Sequence, residues 1–159
     1  MTAGLLHAED LTIGLHIDLG TVAVTRSEIV EFARRYDPLP FHVDPAASPF
    51  GDVIASSIQT LALFASLASP QFIARLALVA GKGMDRLRLP HPVRPDVELR
   101  ASMRVSDVVP REGRADVHCE CLMVDEDDHV VLSFTSISVV RSRRVAAATS
   151  SPSPNQENR

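Results

Sequence analysis

The hydrophobic positions of this chain change period along its length. From Thr12 to Val24, apolar and polar residues mix with Gly14 and Gly20, which reads as an irregular entry strand. Ile29, Phe32, Ala33 and Tyr36 then recur at helical intervals, and Thr25 and Glu28 stand at capping-box spacing just before them. Asp37-Pro38-Leu39-Pro40 must end that helix, because the residue before a proline is pushed out of the helical region. Phe41 to Pro45 continues as loop, with a helical turn expected only through Ala46 and Ala47. From Ser56 to about Ala68, Ile58, Leu61, Ala62, Leu63, Phe64, Ala65 and Leu67 place apolar groups on nearly every side, the pattern of a buried helix. Pro70 is expected to close or bend it, with a short second helical piece between Gln71 and Ala77.

Beyond Leu78 the period becomes two. Leu78–Leu89 reads as a strand with two glycines, and Pro90, Pro92 and Pro95 punctuate the connection after it. Leu99, Ala101, Met103 and Val105 alternate with polar residues, and Pro110 to Gly113 is expected to turn the chain. Ala115, Val117, Cys119, Cys121 and Met123 form one face of the next strand. Asp125 to Asp128 is a charged hairpin tip, and Val130–Val140 is the last strand. Helices followed by a run of antiparallel strands define an α+β domain. A long apolar helix wrapped by such a sheet is the hotdog arrangement. An open sheet edge predicts a dimer.

Composition narrows the picture. With 45% hydrophobic residues among 159, there is apolar material for one core, assigned to residues 1–141. Residues 142–159 lose all periodicity and are expected to form a disordered tail. A net charge of −4 offers no basic field for nucleic acid. The first ten residues lack a positive region, and the longest apolar stretch is too short and too polar to span a bilayer. A cytoplasmic protein that binds neither nucleic acid nor membrane is the expectation. Cys119 and Cys121, two apart in a strand, share a face and read as small core residues, not as a metal or disulfide pair.

The candidate chemistry lies in Tyr36-Asp37-Pro38-Leu39-Pro40-Phe41-His42-Val43-Asp44. A carboxylate at a helix end and an imidazole five residues on, joined by a proline-stiffened loop, can converge on one water molecule. Taken singly, an Asp past a helix serves local backbone groups more often than catalysis, and a loop His is more often structural. Their joint spacing makes the case. Hydration of a conjugated double bond requires one group that removes a proton from water and another that positions it or returns a proton.

This segment resembles the MaoC-like dehydratases and R-specific enoyl-CoA hydratases, whose signature is Asp-x-Asn-Pro-x-His. Asp37, Pro40 and His42 occupy the signature positions, and Tyr36, Phe41, Val43 and Asp44 agree with a looser subgroup. Ser48-Pro49-Phe50-Gly51, Ile54-Ala55-Ser56, Val93-Arg94-Pro95 and Val131 to Thr135 also fit, so the resemblance runs from about Thr21 to Val140. It implies a hotdog fold and reversible hydration of a trans-2-enoyl thioester. Asp37 would be the general base and His42 the proton donor or orienter. A backbone N–H near Ser56 and Ser57, at the start of the buried helix, would hold the thioester oxygen. It implies no cofactor beyond the coenzyme A or acyl carrier that bears the substrate, and no metal. As partner it implies a second copy or a related hotdog subunit. Arg86, Arg88 and Arg94 are candidates for coenzyme A phosphates, with a solvated strand edge as the plain alternative.

The chain departs from the pattern at three places. Leu39 stands where the signature has an amide, Ser57 where it has glycine, and Asp52 where a small residue is usual, which would set a negative charge near the site. These departures keep open a non-catalytic thioester-binding or assembly subunit of a heteromeric hydratase. A hotdog thioesterase ranks last, because Ile58–Leu67 supplies no carboxylate.

Overall fold

The computed structural model describes residues 4–144. Its sheet has five antiparallel strands in the order β1-β3-β4-β5-β2: β1 is His16–Val22, β2 Leu78–Arg88, β3 Leu99–Arg111, β4 Arg114–Val124 and β5 Val130–Arg141. Three α-helical segments lie between β1 and β2: α1 (Arg26–Tyr36), the single turn α2 (Pro40–Val43) and α3 (Ser57–Gln71). This is the hotdog fold that the period change predicts, with α3 laid against one face of the sheet.

Local chemistry sets the boundaries. Thr25 accepts from Glu28 N while the Glu28 carboxylate accepts from Thr25 N, so both halves of the capping box are made. α1 stops at Asp37, whose N–H still bonds Ala33 O at 2.8 Å. α3 runs one residue past Pro70, which removes one bond from its last turn, and a short 3-10 turn at Ile73–Arg75 takes the place of a second helical piece. The β3–β4 turn is tighter than expected. Pro110 and Arg111 pair with Ala115 and Arg114, leaving Glu112 and Gly113 as the tip, with Gly113 at φ 65°, where glycine carries no steric penalty.

The inward residues of β3, β4 and β5 make the core. Leu99, Met103, Met123 and Leu132 are fully buried, and Phe64 of α3 meets Phe134 edge-on at 5.1 Å. Cys119 and Cys121 belong to this core as free thiols, and burial pushes the Cys119 thiol up to about 12. On the opposite face the buried Asp116 carboxylate accepts from Lys82 Nζ at 2.7 Å and Arg111 Nη2 at 3.2 Å, tying β2 and β3 to β4. The Lys82 ammonium holds that carboxyl below its usual range.

One expectation needs correction. α3 is not covered all round: Ile58 is 62% exposed, and Ala62 and Ala65 are open as well. Every residue of β2 is exposed too. One chain's sheet is wide enough to cover only one side of the helix.

The ends of the described chain are tied together. The Glu9 carboxylate accepts from the Ser142 hydroxyl and from the N–H groups of Arg143 and Arg144. Asp10 accepts from the Arg143 guanidinium at 2.7 Å. The first three residues of the expected tail are therefore held in a clasp; the rest of it lies outside the described residues. Among the described residues no helix is long and apolar enough to cross a membrane.

Candidate functional site

The loop after α1 folds more tightly than its prolines suggest. Leu39 N–H bonds Asp37 O at 2.8 Å. Pro40 then opens α2, a position where its missing N–H costs nothing, and His42 N–H bonds Leu39 O at 3.0 Å. His42 therefore rides on a helical turn rather than a loop. This turn swings the imidazole back under the end of α1, where its Nε2 lies 3.5 Å from Asp37 Oδ2.

The imidazole is buried, at 5% exposure, and its orientation is fixed. Its Nδ1 lies 2.6 Å from the carbonyl oxygen of Ile54. A carbonyl can only accept, so Nδ1 carries the proton, and in the neutral ring Nε2 is left with a lone pair. Phe41 packs edge-on against the same ring at 4.4 Å. A second strap joins the two segments, from Ile54 N–H to Phe41 O at 3.3 Å.

Asp37 and His42 open into a cleft of about 420 Å³. Its walls are largely apolar: Leu39, Phe41, Phe50, Ile54 and Ala55 on one side, Leu89, Pro90, Pro92 and Val93 on the other. Leu39 lines the rim and is 46% exposed, so it borders the cleft without plugging it. The floor is the first turn of α3, through Ser57 and Thr60.

Of the two serines expected at that helix start, only Ser57 faces the cleft. Ser56 is fully buried as the N-cap, its hydroxyl accepting from Gln59 N at 3.2 Å, while its carbonyl accepts from Thr60 N and Thr60 Oγ1. The amides of Ser57 and Ile58 are then the first-turn donors outside the helix's own bonding. Gln59 locks this turn to α1, donating from Nε2 to Glu28 O at 3.2 Å. Asp52, expected to charge the site, is instead paired with Arg26 of α1 and lies outside the cleft lining.

The three candidate phosphate-binding arginines do not converge, and none lines this cleft. Arg86 donates to Thr135 Oγ1 at 2.9 Å, Arg88 to the neighbouring Leu87 O at 2.8 Å, and Arg94 to Phe50 O at 2.8 Å. Arg94 thereby fixes the segment that carries Phe50 over the cleft. Among the described residues no group of three or more His, Cys, Asp or Glu side chains could hold a metal ion.

Sequence reasoning did not assign several cleft residues to the site: Phe50, Thr60, Leu89 and above all His91. The flanking Pro90 and Pro92 were a usable signal, since they repeat around His91 the stiffening seen before His42.

Comparison with known proteins places the chain among relatives of the same fold. Residues 10–125 match the MaoC like domain. A crystal structure of the MaoC-like dehydratase from Rhodospirillum rubrum is 32% identical, with 88% of this chain and 99% of that one covered at a TM-score of 0.78. The uncharacterized protein YdeM of Bacillus subtilis is 28% identical over 138 residues, covering 85% of this chain and 98% of its own. The (R)-hydratase from A. caviae involved in PHA biosynthesis shares the fold, at a TM-score of 0.67 and 20% identity over 84% of this chain and 98% of that one. The chain belongs to the MaoC-like hydratase and dehydratase family.

Proposed function

We propose that this protein catalyses reversible hydration of a trans-2-enoyl thioester, with Asp37 and His42 activating the water. The observation that carries the reading is the 3.5 Å approach of Asp37 Oδ2 to His42 Nε2 within an apolar cleft floored by a helix N-terminus. Both facing atoms are acceptors when the carboxyl is ionised and the imidazole neutral. A water seated beside the pair, within hydrogen-bond reach of both atoms, directs one hydrogen to each, which turns an oxygen lone pair outward, toward the substrate's β-carbon. As that oxygen bonds carbon, Asp37 takes one proton and His42 holds the other. Electron density moves to the thioester oxygen, where the Ser57 amide and the positive end of α3 stabilise it. The proton taken by the pair is then passed to the α-carbon, giving the 3-hydroxyacyl thioester with every atom of water accounted for. The fixed Nδ1–H defines His42 as an orienting acceptor first and a donor only after it has received a proton.

The same reading includes a second subunit. β2 is exposed along its whole length and Ile58 is bare; a second copy, or a related hotdog chain, would cover both. The test of the reaction is spectroscopic. Adding short enoyl-CoA to the full chain should remove the conjugated-enoyl ultraviolet absorbance. A folded wild-type protein inert toward short, medium and bulky enoyl thioesters would sink it. Leu39 at the signature amide position favours the second reading, a thioester-binding subunit active only beside a homologous partner. Turnover by the isolated chain excludes that reading.

A further inference from the structure

The reaction described above leaves one cleft-lining imidazole unused. His91 stands between Pro90 and Pro92, and all three line the cleft that holds Asp37 and His42. Its Nδ1 is 3.0 Å from the carbonyl oxygen of Val130 at the start of β5. As at His42, the carbonyl can only accept, so Nδ1 carries the proton and the neutral ring keeps a lone pair at Nε2. The ring also packs at 5.0 Å on His129. His129 is tied in turn through its Nδ1 to Asp125 Oδ2 at 3.2 Å. Flanking prolines, a carbonyl tether and a stacked neighbour set the orientation of His91 before any ligand arrives.

What such a group recognises follows from its chemistry. A neutral imidazole with a fixed Nδ1–H offers Nε2 as an acceptor, so its ligand brings an N–H or O–H. In the proposed reaction Asp37 and His42 hold the water, and on the cleft side the wall beside His91 carries Phe50, Leu89 and Val93. The inference rests on the hydratase reading that the acyl group arrives as a carried thioester. Whether the carrier is coenzyme A or an acyl carrier protein, the sulfur sits at the end of the same pantetheine chain, whose amide N–H groups lie a few bonds away. We propose that His91 Nε2 accepts a hydrogen bond from an amide N–H of the pantetheine arm, so that this wall of the cleft reads the carrier arm and not the acyl chain. None of Arg86, Arg88 and Arg94 takes part in this contact.

Calorimetric titration with butanoyl-pantetheine, which is saturated and cannot be hydrated, tests the contact without turnover. His91→Ala and His91→Phe in the full chain should each weaken binding roughly five- to tenfold, the effect of one hydrogen bond. Amide-free S-ethyl thiobutanoate, measured as a competitor, should change less than about twofold by the same reasoning. Equal affinity of wild type and both variants for butanoyl-pantetheine overturns the inference, as does equal weakening of the amide-free ester. Butanoyl-CoA and a butanoyl acyl carrier protein distinguish the two sources: the natural carrier binds more tightly than butanoyl-pantetheine and retains the His91→Ala factor. A factor near one on both overturns the contact. Wild type that binds butanoyl-pantetheine through His91 but leaves crotonyl-pantetheine unhydrated defeats the hydratase reading and leaves this contact standing. No binding of butanoyl-pantetheine by wild type defeats the contact itself.

Discussion

Two short proline-rich stretches face each other across the cleft, and each presents one histidine. In Asp37–His42 the prolines deliver the imidazole to a buried spot beside a carboxylate. In Leu89–Arg94 they deliver it to an exposed rim beside a second histidine. Both rings use Nδ1 the same way, on the carbonyls of Ile54 and Val130, so tautomer does not separate them. Burial and the charged neighbour do. At His42 a carboxylate oxygen lies 3.5 Å from the open nitrogen, and together they can share a water and move a proton. At His91 the open nitrogen has no carboxylate within salt-bridge distance among the described residues, and the proposed use of its lone pair is to hold a donor in place. On the two proposals above, the same side chain, held in the same way, serves chemistry in one setting and recognition in the other.

That contrast can be broken at its strongest point first. Asp37→Asn keeps the shape and removes the proton acceptor, so kcat for enoyl-thioester hydration should fall by about 10³-fold with the circular dichroism spectrum unchanged; a rate within tenfold of wild type would remove Asp37 from the reaction. His42→Ala should lower kcat by about 100-fold. It should also lower stability by about 1–3 kcal/mol in urea denaturation, because the buried Ile54 carbonyl loses its donor. Leu39→Asn restores an amide at the rim and should raise kcat/KM by about two- to tenfold, the worth of one hydrogen bond; an unchanged value would show that the rim residue does not reach the reacting atoms. His91→Ala should leave urea stability within about 0.5 kcal/mol of wild type, and a larger loss would make His91 a structural residue like His42.

How far the sequence revealed this arrangement depends on the reach of each signal. The Thr25–Glu28 cap, the stop at Asp37 and the inward face carrying Cys119 and Cys121 are written in residues a few positions apart, and all are present. Asp37 and His42 were legible because they lie five positions apart with two prolines between them. His91 was not, because what orients it, the Val130 carbonyl, lies 39 positions away. Asp52 was misread for the same reason: its charge is met by Arg26, 26 positions earlier. α3 was misjudged differently. Its sequence is apolar enough to be buried, but periodicity does not say whether the cover comes from the same chain, and here this chain leaves one side open.

The clasp between Glu9, Asp10 and the Ser142–Arg144 segment has a consequence in acid. The Ser142 hydroxyl and the Arg143 guanidinium, as the largest influences, hold the Glu9 and Asp10 carboxyls at about 2, below their ordinary 4.5 and 3.8. Depressed carboxyls stabilise the folded ends above the ordinary values, and that contribution is lost as pH falls toward 2. Once both are protonated, the negative half of the clasp is gone while the arginines keep their charge. Acidification should therefore release Ser142–Arg144 from Glu9 and Asp10, while β5 itself stays held by its backbone ladders to β4 and β2.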